Sequence, residues 1–296
     1  MVADGRFIIY NFKIIIKESW VKMKLYLSVD MEGITGLVDH THVDSGKHNY
    51  ERSRKIMTQE ANYVITKAFE TGCNEVIVND SHSKMNNLLI EDLHPETQLI
   101  TGDVKPFSMV QGLDSSFSGA VFVGYHSRAS MSGVMSHSMI FGVRHMYIND
   151  VQIGELGFNA YVAGYFGVPV IMVAGDDGAA REAEALIPNI TTAVVKESIS
   201  RSAAKSLTPS KAGELLAEKT EYAIKNLEKV KPLTPPDHPV LRIEFANYGQ
   251  AEWANLMPGT EIEEGTTIVR YQAKDILVAY QAMLVMTELA MRTTFS

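Results

Sequence analysis

The sequence predicts an α/β fold: a mostly parallel sheet covered by helices, with a hairpin insertion and a smaller C-terminal α/β lobe. Three observations carry this. Short Val/Ile-rich runs of about five to seven residues alternate with segments of helical period. The runs are apolar on both faces, as strands buried between two helical layers must be. The chain has 296 residues, 46% of them hydrophobic, which is ample for a packed core.

The elements follow in order. Leu25–Asp30 reads as the first strand. Tyr50–Thr71 has helical spacing, with Ile56, Ala61, Val64, Ile65, Ala68 and Phe69 on one side and Gly72 as a stop. Glu75–Asn79 and Ala120–Tyr125 are the second and third strands. His145–Ile153 carries Asn149-Asp150 between two short β runs, the signal of a hairpin inserted before the next helix. A helix over Leu156–Tyr165 leads to a fourth strand, Val168–Ala174. Gly175-Asp176-Asp177-Gly178 then caps a short helix, Ala179–Leu186, and Thr191–Val195 is the fifth strand. Pro209–Lys229 is a charged amphipathic helix. Pro232, Pro235, Pro236 and Pro239 stiffen the connection that follows it. The tail reads as strand (Val240–Phe245), helix (Gln250–Leu256), a Pro258-Gly259 turn, strand (Thr267–Tyr271) and helix (Ala273–Met291). Trp253 is expected in the core of this lobe or at a subunit contact, and Met283, Met286 and Met291 in core packing.

Residues 1–22 stand apart. Their apolar stretch, Phe7–Ile16, is interrupted by Asn11 and Lys13 and is too short to span a bilayer. It lacks a signal-peptidase pattern, and Met23 opens a clean strand. The expected organisation is an N-terminal extension (1–22), a metal-binding α/β domain (23–206) and a smaller lobe (207–296), located in the cytoplasm.

Composition narrows the chemistry. With 27 Lys+Arg against 35 Asp+Glu and no basic block, nucleic acid is not the expected partner. One Cys excludes an internal disulfide, a thiolate metal cage and a CxxC redox motif. Any metal must be held by His, Asp and Glu. The sequence has no GxGxxG, P-loop, HExxH or GxSxG motif.

Five such residues fall where open α/β sheets bind ligands, beyond the carboxyl ends of strands. Asp30 and Glu32 follow the first strand, His82 the second and His126 the third, while Glu155 lies just past the hairpin. Parallel strands bring these ends to one edge. Imidazole and carboxylate both suit zinc or a similar divalent ion. Five ligands exceed the need of one catalytic zinc and suit two ions sharing a carboxylate. The competing reading makes each Asp a cap and each His structural. His137, in the loop Val134-Met135-Ser136-His137-Ser138, is a candidate general acid/base or a surface residue. His145, at the hairpin, reads as structural.

The linked motifs Ser28-Val29-Asp30-Met31-Glu32-Gly33, Asn79-Asp80-Ser81-His82, Gly124-Tyr125-His126, Ser136-His137-Ser138-Met139-Ile140 and Gly154-Glu155 closely resemble the dinuclear zinc D-aminopeptidases encoded in bacterial dipeptide-transport operons. The likeness runs from Met23 nearly to the C-terminus. It implies two zinc ions per subunit held by Asp30, Glu32, His82, His126 and Glu155, with His137 as the catalytic histidine. It also implies hydrolysis of short peptides with N-terminal D-residues, such as D-Ala-D-Ala, in a homodecamer enclosing the active sites. Two other functions compete. A dinuclear phosphoesterase would want cations for phosphate, and only Lys84 and Arg128 are close to the motifs. A non-catalytic peptide- or metal-binding protein would need no open metal position.

Overall fold

A computed structural model describes residues 22–293; the expectation that 1–22 form an extension lies almost wholly outside them. The chain runs β1 (Lys24–Val29), α1 (His40–Val43), α2 (Tyr50–Glu70), β2 (Glu75–Asp80), β3 (Gln98–Ile100) and β4 (Gly119–Tyr125). The hairpin strands β5 (Val143–Ile148) and β6 (Val151–Ile153) precede α3 (Glu155–Tyr165), β7 (Val170–Asp176), α4 (Asp177–Leu186), β8 (Thr191–Ser200) and β9 (Ala203–Ser206). The last third comprises α5 (Pro209–Lys225), β10 (Val240–Phe245), α6 (Tyr248–Ala254), β11 (Thr260–Ile262), β12 (Ile268–Gln272) and α7 (Ile276–Ala290).

The expected parallel sheet is present. Its order is β3-β2-β1-β4-β7-β8-β9, parallel throughout except for the terminal β9. From β1 the chain moves out through β2 to β3, then returns to the other side of β1 as β4 and proceeds to β7 and β8. The direction of winding therefore reverses between β1 and β4. Right-handed crossovers then place α2 and α3 on opposite faces. β4 and β7 are buried along their whole length, as strands covered on both faces must be.

A second sheet, β11-β12-β10-β5-β6, is antiparallel. The hairpin read as an insertion is thus built into it, with β5 pairing with the C-terminal β10. The helix α5, which follows residue 207, packs on α2 and on β7 and β8 of the first sheet. A single cluster of buried apolar side chains runs through both layers. No helix among the described residues is long and apolar enough to cross a membrane.

Local signals explain most boundaries. Gly72 follows the C-cap of α2 at φ +107°, a conformation glycine adopts without strain. Asp176 caps α4 by accepting the Ala179 N–H, Thr208 caps α5 ahead of Pro209, and Asp275 caps α7. The strands β3, β9 and β11 were not expected, because three or four residues are too few to show a period. Two core expectations are corrected. Trp253 is 40% exposed on α6, and Met291 lies exposed beyond the end of α7, while Met283 and Met286 are fully buried.

Gly33 and Gly124 let the β1 and β4 exits cross. Gly33 donates to the Gly124 carbonyl at 2.7 Å, and a Cβ on Gly33 would lie 2.0 Å from the Tyr125 carbonyl oxygen. The obstacle is backbone, so no side chain can move aside. Gly33→Ala is expected to lower stability by about 1–3 kcal/mol or more. Denaturant titration checks this; an unshifted midpoint would contradict so close an approach.

Candidate metal centre

The reversal between β1 and β4 leaves a crevice at their carboxyl ends, where such sheets bind ligands. Asp30 leaves β1 and His126 leaves β4, while His82 follows the neighbouring β2. Glu155 opens α3 directly after the hairpin, and His137 comes from the loop between β4 and β5. All six sequence-selected residues converge.

Their side chains form a ring in which imidazoles and carboxylates alternate. His82 Nδ1 lies 2.9 Å from Glu32 Oε2 and 3.4 Å from Asp30 Oδ1. Asp30 Oδ2 is 3.6 Å from His126 Nε2, which is 3.5 Å from Glu155 Oε2. His137 Nε2 closes the ring, 3.9 Å from Glu155 Oε1 and 4.0 Å from Glu32 Oε1. Asp30, Glu32 and His126 offer ligand atoms within 4.8 Å of one another, and so do His126, His137 and Glu155.

Each imidazole is held by its other nitrogen. His82 Nε2 bonds the Val43 carbonyl at 3.0 Å, His126 Nδ1 the Ser127 carbonyl at 2.9 Å, and His137 Nδ1 the Met135 carbonyl at 2.9 Å. A carbonyl only accepts, so each anchored nitrogen carries the hydrogen. The opposite nitrogen of every neutral ring then presents a lone pair to the carboxylates. This is the outer-shell arrangement that fixes metal-ligating histidines.

The electrostatics point the same way. Asp30 Oδ2 is buried with no hydrogen-bond partner, and Glu32 Oε2 has only the His82 ring beside it. Burial pushes the Asp30 carboxyl up to about 8, and the Glu32 charge adds to this. Burial also acts to raise Glu32 and Glu155, yet attraction to the surrounding histidines holds both below their ordinary value. Burial works against charge on His82 and His126, but the carboxylates hold both well above the usual imidazole range. His137 is held below that range, first by burial and then by His126. Without metal, therefore, the ring binds protons between its acids. Bare carboxylate oxygens facing oriented imidazole nitrogens are the donor set a divalent cation needs.

A buried framework fixes the loops. The Lys196 ammonium, on β8, donates to the carbonyls of Glu32, Ile34 and Leu37, using all three of its hydrogens on the loop that carries Glu32. Glu60 on α2 accepts the Thr35 N–H in the same loop at 2.9 Å. The Asp80 carboxylate accepts from the Asn87 and Leu88 amides and shapes the turn holding His82. Glu182 accepts from the Gly154 amide, beside Glu155. Beneath the ring, Tyr280 OH bonds Asn159 Oδ1 and Asn159 Nδ2 bonds Tyr125 OH, each at 2.9 Å; Tyr125 OH bonds Ser28 at 2.7 Å and Ser28 bonds Ser81 at 2.8 Å. Sequence reasoning missed Lys196, Glu60, Asp80, Glu182 and Asn159. A Lys in the otherwise apolar run Ala193-Val194-Val195-Lys196 was the one available signal. Asp176 is the helix cap expected, and it also accepts the Val134 N–H. His145 is structural: its Nδ1 bonds Glu244 across β5 and β10 at 2.8 Å.

The sequence matches the D-aminopeptidase family over residues 23–285. A D-aminopeptidase of Bacillus subtilis (strain 168) is 75% identical over 273 residues, covering 92% of this chain and 100% of the relative. Among solved structures, the Zn-dependent D-aminopeptidase DppA from Bacillus subtilis, a self-compartmentalizing protease, superposes with a TM-score of 0.92 at 74% identity, covering 93% of this chain and 100% of that one.

Two outcomes test the framework. Lys196→Met removes a charged donor shared by the carbonyls of Glu32, Ile34 and Leu37 and is expected to cost about 3 kcal/mol or more, measured by denaturant unfolding. Glu60 gives a pH signature. Burial pushes it from 4.5 up to about 7, against the Thr35 bond and Lys196, which lower it. With the folded value raised, its contribution to stability is full below about 4.5 and is lost as pH rises through about 7. Glu60→Gln, which keeps an acceptor for Thr35, should flatten this stretch and exceed the parent at pH 8 by up to about 3 kcal/mol. Parallel pH–stability curves for the two proteins would refute the assignment.

Proposed function

The chain belongs to the D-aminopeptidase family, and on that premise we propose that it is a zinc-dependent aminopeptidase hydrolysing short peptides with N-terminal D-residues, of the D-Ala-D-Ala type. The observation that carries this is the orientation of the three imidazoles, each tied by one nitrogen to a backbone carbonyl and turned by the other onto buried carboxylates. We assign two zinc ions per subunit to Asp30, Glu32, His82, His126 and Glu155. Asp30 turns one carboxylate oxygen toward His82 and the other toward His126, so it would serve both ligand groups. Zinc bound there supplies Lewis acidity toward a scissile carbonyl and toward water.

The protein's own groups do the rest. Glu32 and Glu155, which the surrounding histidines hold ionised, would hold the metal, and an open position there would take the free α-amine of a peptide, favouring an aminopeptidase over an endopeptidase habit. His137 is assigned to proton transfer instead of coordination. It stands farthest from the carboxylates and is the most exposed of the three rings, 12% against 8% and 3%. A proton-accepting nitrogen at neutral pH follows from its lowered affinity for protons. Its Nδ1–H bond to Met135 keeps Nε2 facing the site. The relative described as self-compartmentalizing supports a homo-oligomer; we assign a decamer working in the cytoplasm.

The deciding assay compares D-Ala-D-Ala with L-Ala-L-Ala, with and without a chelator. Hydrolysis of the D,D peptide alone, abolished by chelation and restored by zinc, is expected; chelator-insensitive turnover would sink the reading. His137→Ala should retain zinc and lose about 10²-fold or more in kcat, whereas Asp30→Ala should lose zinc and activity together. Zinc loading of the metal-free protein near neutral pH should release up to about three protons, from Asp30, His82 and His126, read from the buffer dependence of the binding heat.

A further inference from the structure

The ring of ligands opens outward along a stack of four side chains. His126 and His137 lie parallel, with ring centroids 4.2 Å apart and planes 5° from parallel. Phe141 packs on His137 at 4.9 Å, and the Arg201 guanidinium sits over the Phe141 ring at 5.4 Å. Phe141 is 69% exposed, so this wall faces solvent. Arg201 comes from the tight turn between β8 and β9 and is anchored twice to the loop bearing His137. Its carbonyl accepts the Met135 N–H at 2.8 Å, and its Nε and Nη2 both donate to the Ser136 carbonyl at 3.3 Å. A guanidinium has five N–H donors, so three remain. Arg201 has no carboxylate partner among the described residues, whereas nearby Arg128 is drawn to Glu182.

We propose that Arg201 binds the free C-terminal carboxylate of the peptide, with Phe141 as the apolar wall beside its last side chain; this rests on the aminopeptidase reading above. The distances suit it. The two stacking separations put the guanidinium within about 10 Å of the His137 ring. In a dipeptide the scissile carbonyl and the terminal carboxyl are one residue apart, about 3.6 Å. Contact of about 3–3.5 Å with His137 on one side and with the guanidinium on the other completes that span. The charge suits it as well. The Arg201 guanidinium at the outer end supplies the positive charge that a terminal carboxylate needs, beyond the reach of the ligand ring. Arginine's planar fork suits a carboxylate.

The experiment measures kcat and KM of the zinc-loaded enzyme on D-Ala-D-Ala and on its C-terminal amide, for wild type and Arg201→Gln. For wild type, the amide should show a KM roughly 10- to 100-fold higher, the scale of a charge-assisted hydrogen bond, with kcat little changed. In Arg201→Gln the KM for the free dipeptide should rise to that of the amide, while the amide's own KM and the zinc content stay constant. Equal KM values for acid and amide in wild type would overturn the assignment while leaving the aminopeptidase reading intact. A variant that raises KM for both substrates alike would also overturn it, since that is the mark of a displaced His137 loop. Failure of the wild type to cleave either peptide would remove both the assignment and the reading beneath it. The wild-type comparison stands even if the variant does not fold.

Discussion

Everything about this site depends on one constraint: three carboxylates are desolvated within a few ångströms of one another, and no Lys or Arg side chain among the described residues pairs with them. The buried Lys196 spends its hydrogens on backbone carbonyls. Carboxylates so placed must acquire protons, imidazolium partners or metal ions. The raised Asp30 and the charged His82 and His126 are the proton-bound solution. Oriented lone pairs on the same histidines are the metal-bound one. Protons and metal therefore compete for the same electrostatic need, and the protein supplies a frame that serves either.

That frame is built from main chain more than from side chains. The histidines rest on the carbonyls of Val43, at the end of α1, and of Ser127 and Met135, both in the loop between β4 and β5. Carbonyls of the Glu32–Leu37 loop converge on Lys196, which needs no water to satisfy its ammonium. Neutral backbone partners orient an imidazole without adding charge to a site already rich in it. A carboxylate in the same place would raise the negative density further and hold an extra proton. His137 differs from the other two for another reason: burial and the neighbouring His126 hold its proton affinity down although Glu155 and Glu32 act to raise it.

How far the sequence disclosed this follows from the range of each signal. Parallel strands fully covered on both faces leave continuous Val/Ile runs, so β1, β2, β4 and β7 were visible. Residues placed at strand ends converge whenever the strands are parallel, which is why Asp30, His82 and His126 could be grouped across long separations. The framework left no such trace. Lys196 acts through carbonyls, and carbonyls are the same at every residue. Glu60 resembles any helical glutamate until its burial is known, and Asp80 looks like a strand-end cap. Trp253 shows the reverse error, because an aromatic residue in a short helix carries no information on which face meets solvent. Edge strands of three or four residues form because a neighbour is already in place, so β3, β9 and β11 belong to tertiary context.

The two sheets meet at the site, and this explains why the lobe cannot be incidental to it. Glu155 reaches the ring because β5 and β6 pair into the second sheet and deliver α3 at a set height. One turn along α3, Asn159 joins the polar chain from Tyr280 through Tyr125 and Ser28 to Ser81. That chain touches α7, α3, β4, β1 and the turn after β2, and the last four of these carry Glu155, His126, Asp30 and His82. Its members are buried and mutually satisfied, so displacing any one element strands a polar group in the core, at a cost of about 1–3 kcal/mol per group. The elements are therefore held in mutual register before any ligand arrives. A site that must place several donors around small cations gains from such a base, because the ordering is completed on folding and is not drawn from the binding of metal or substrate.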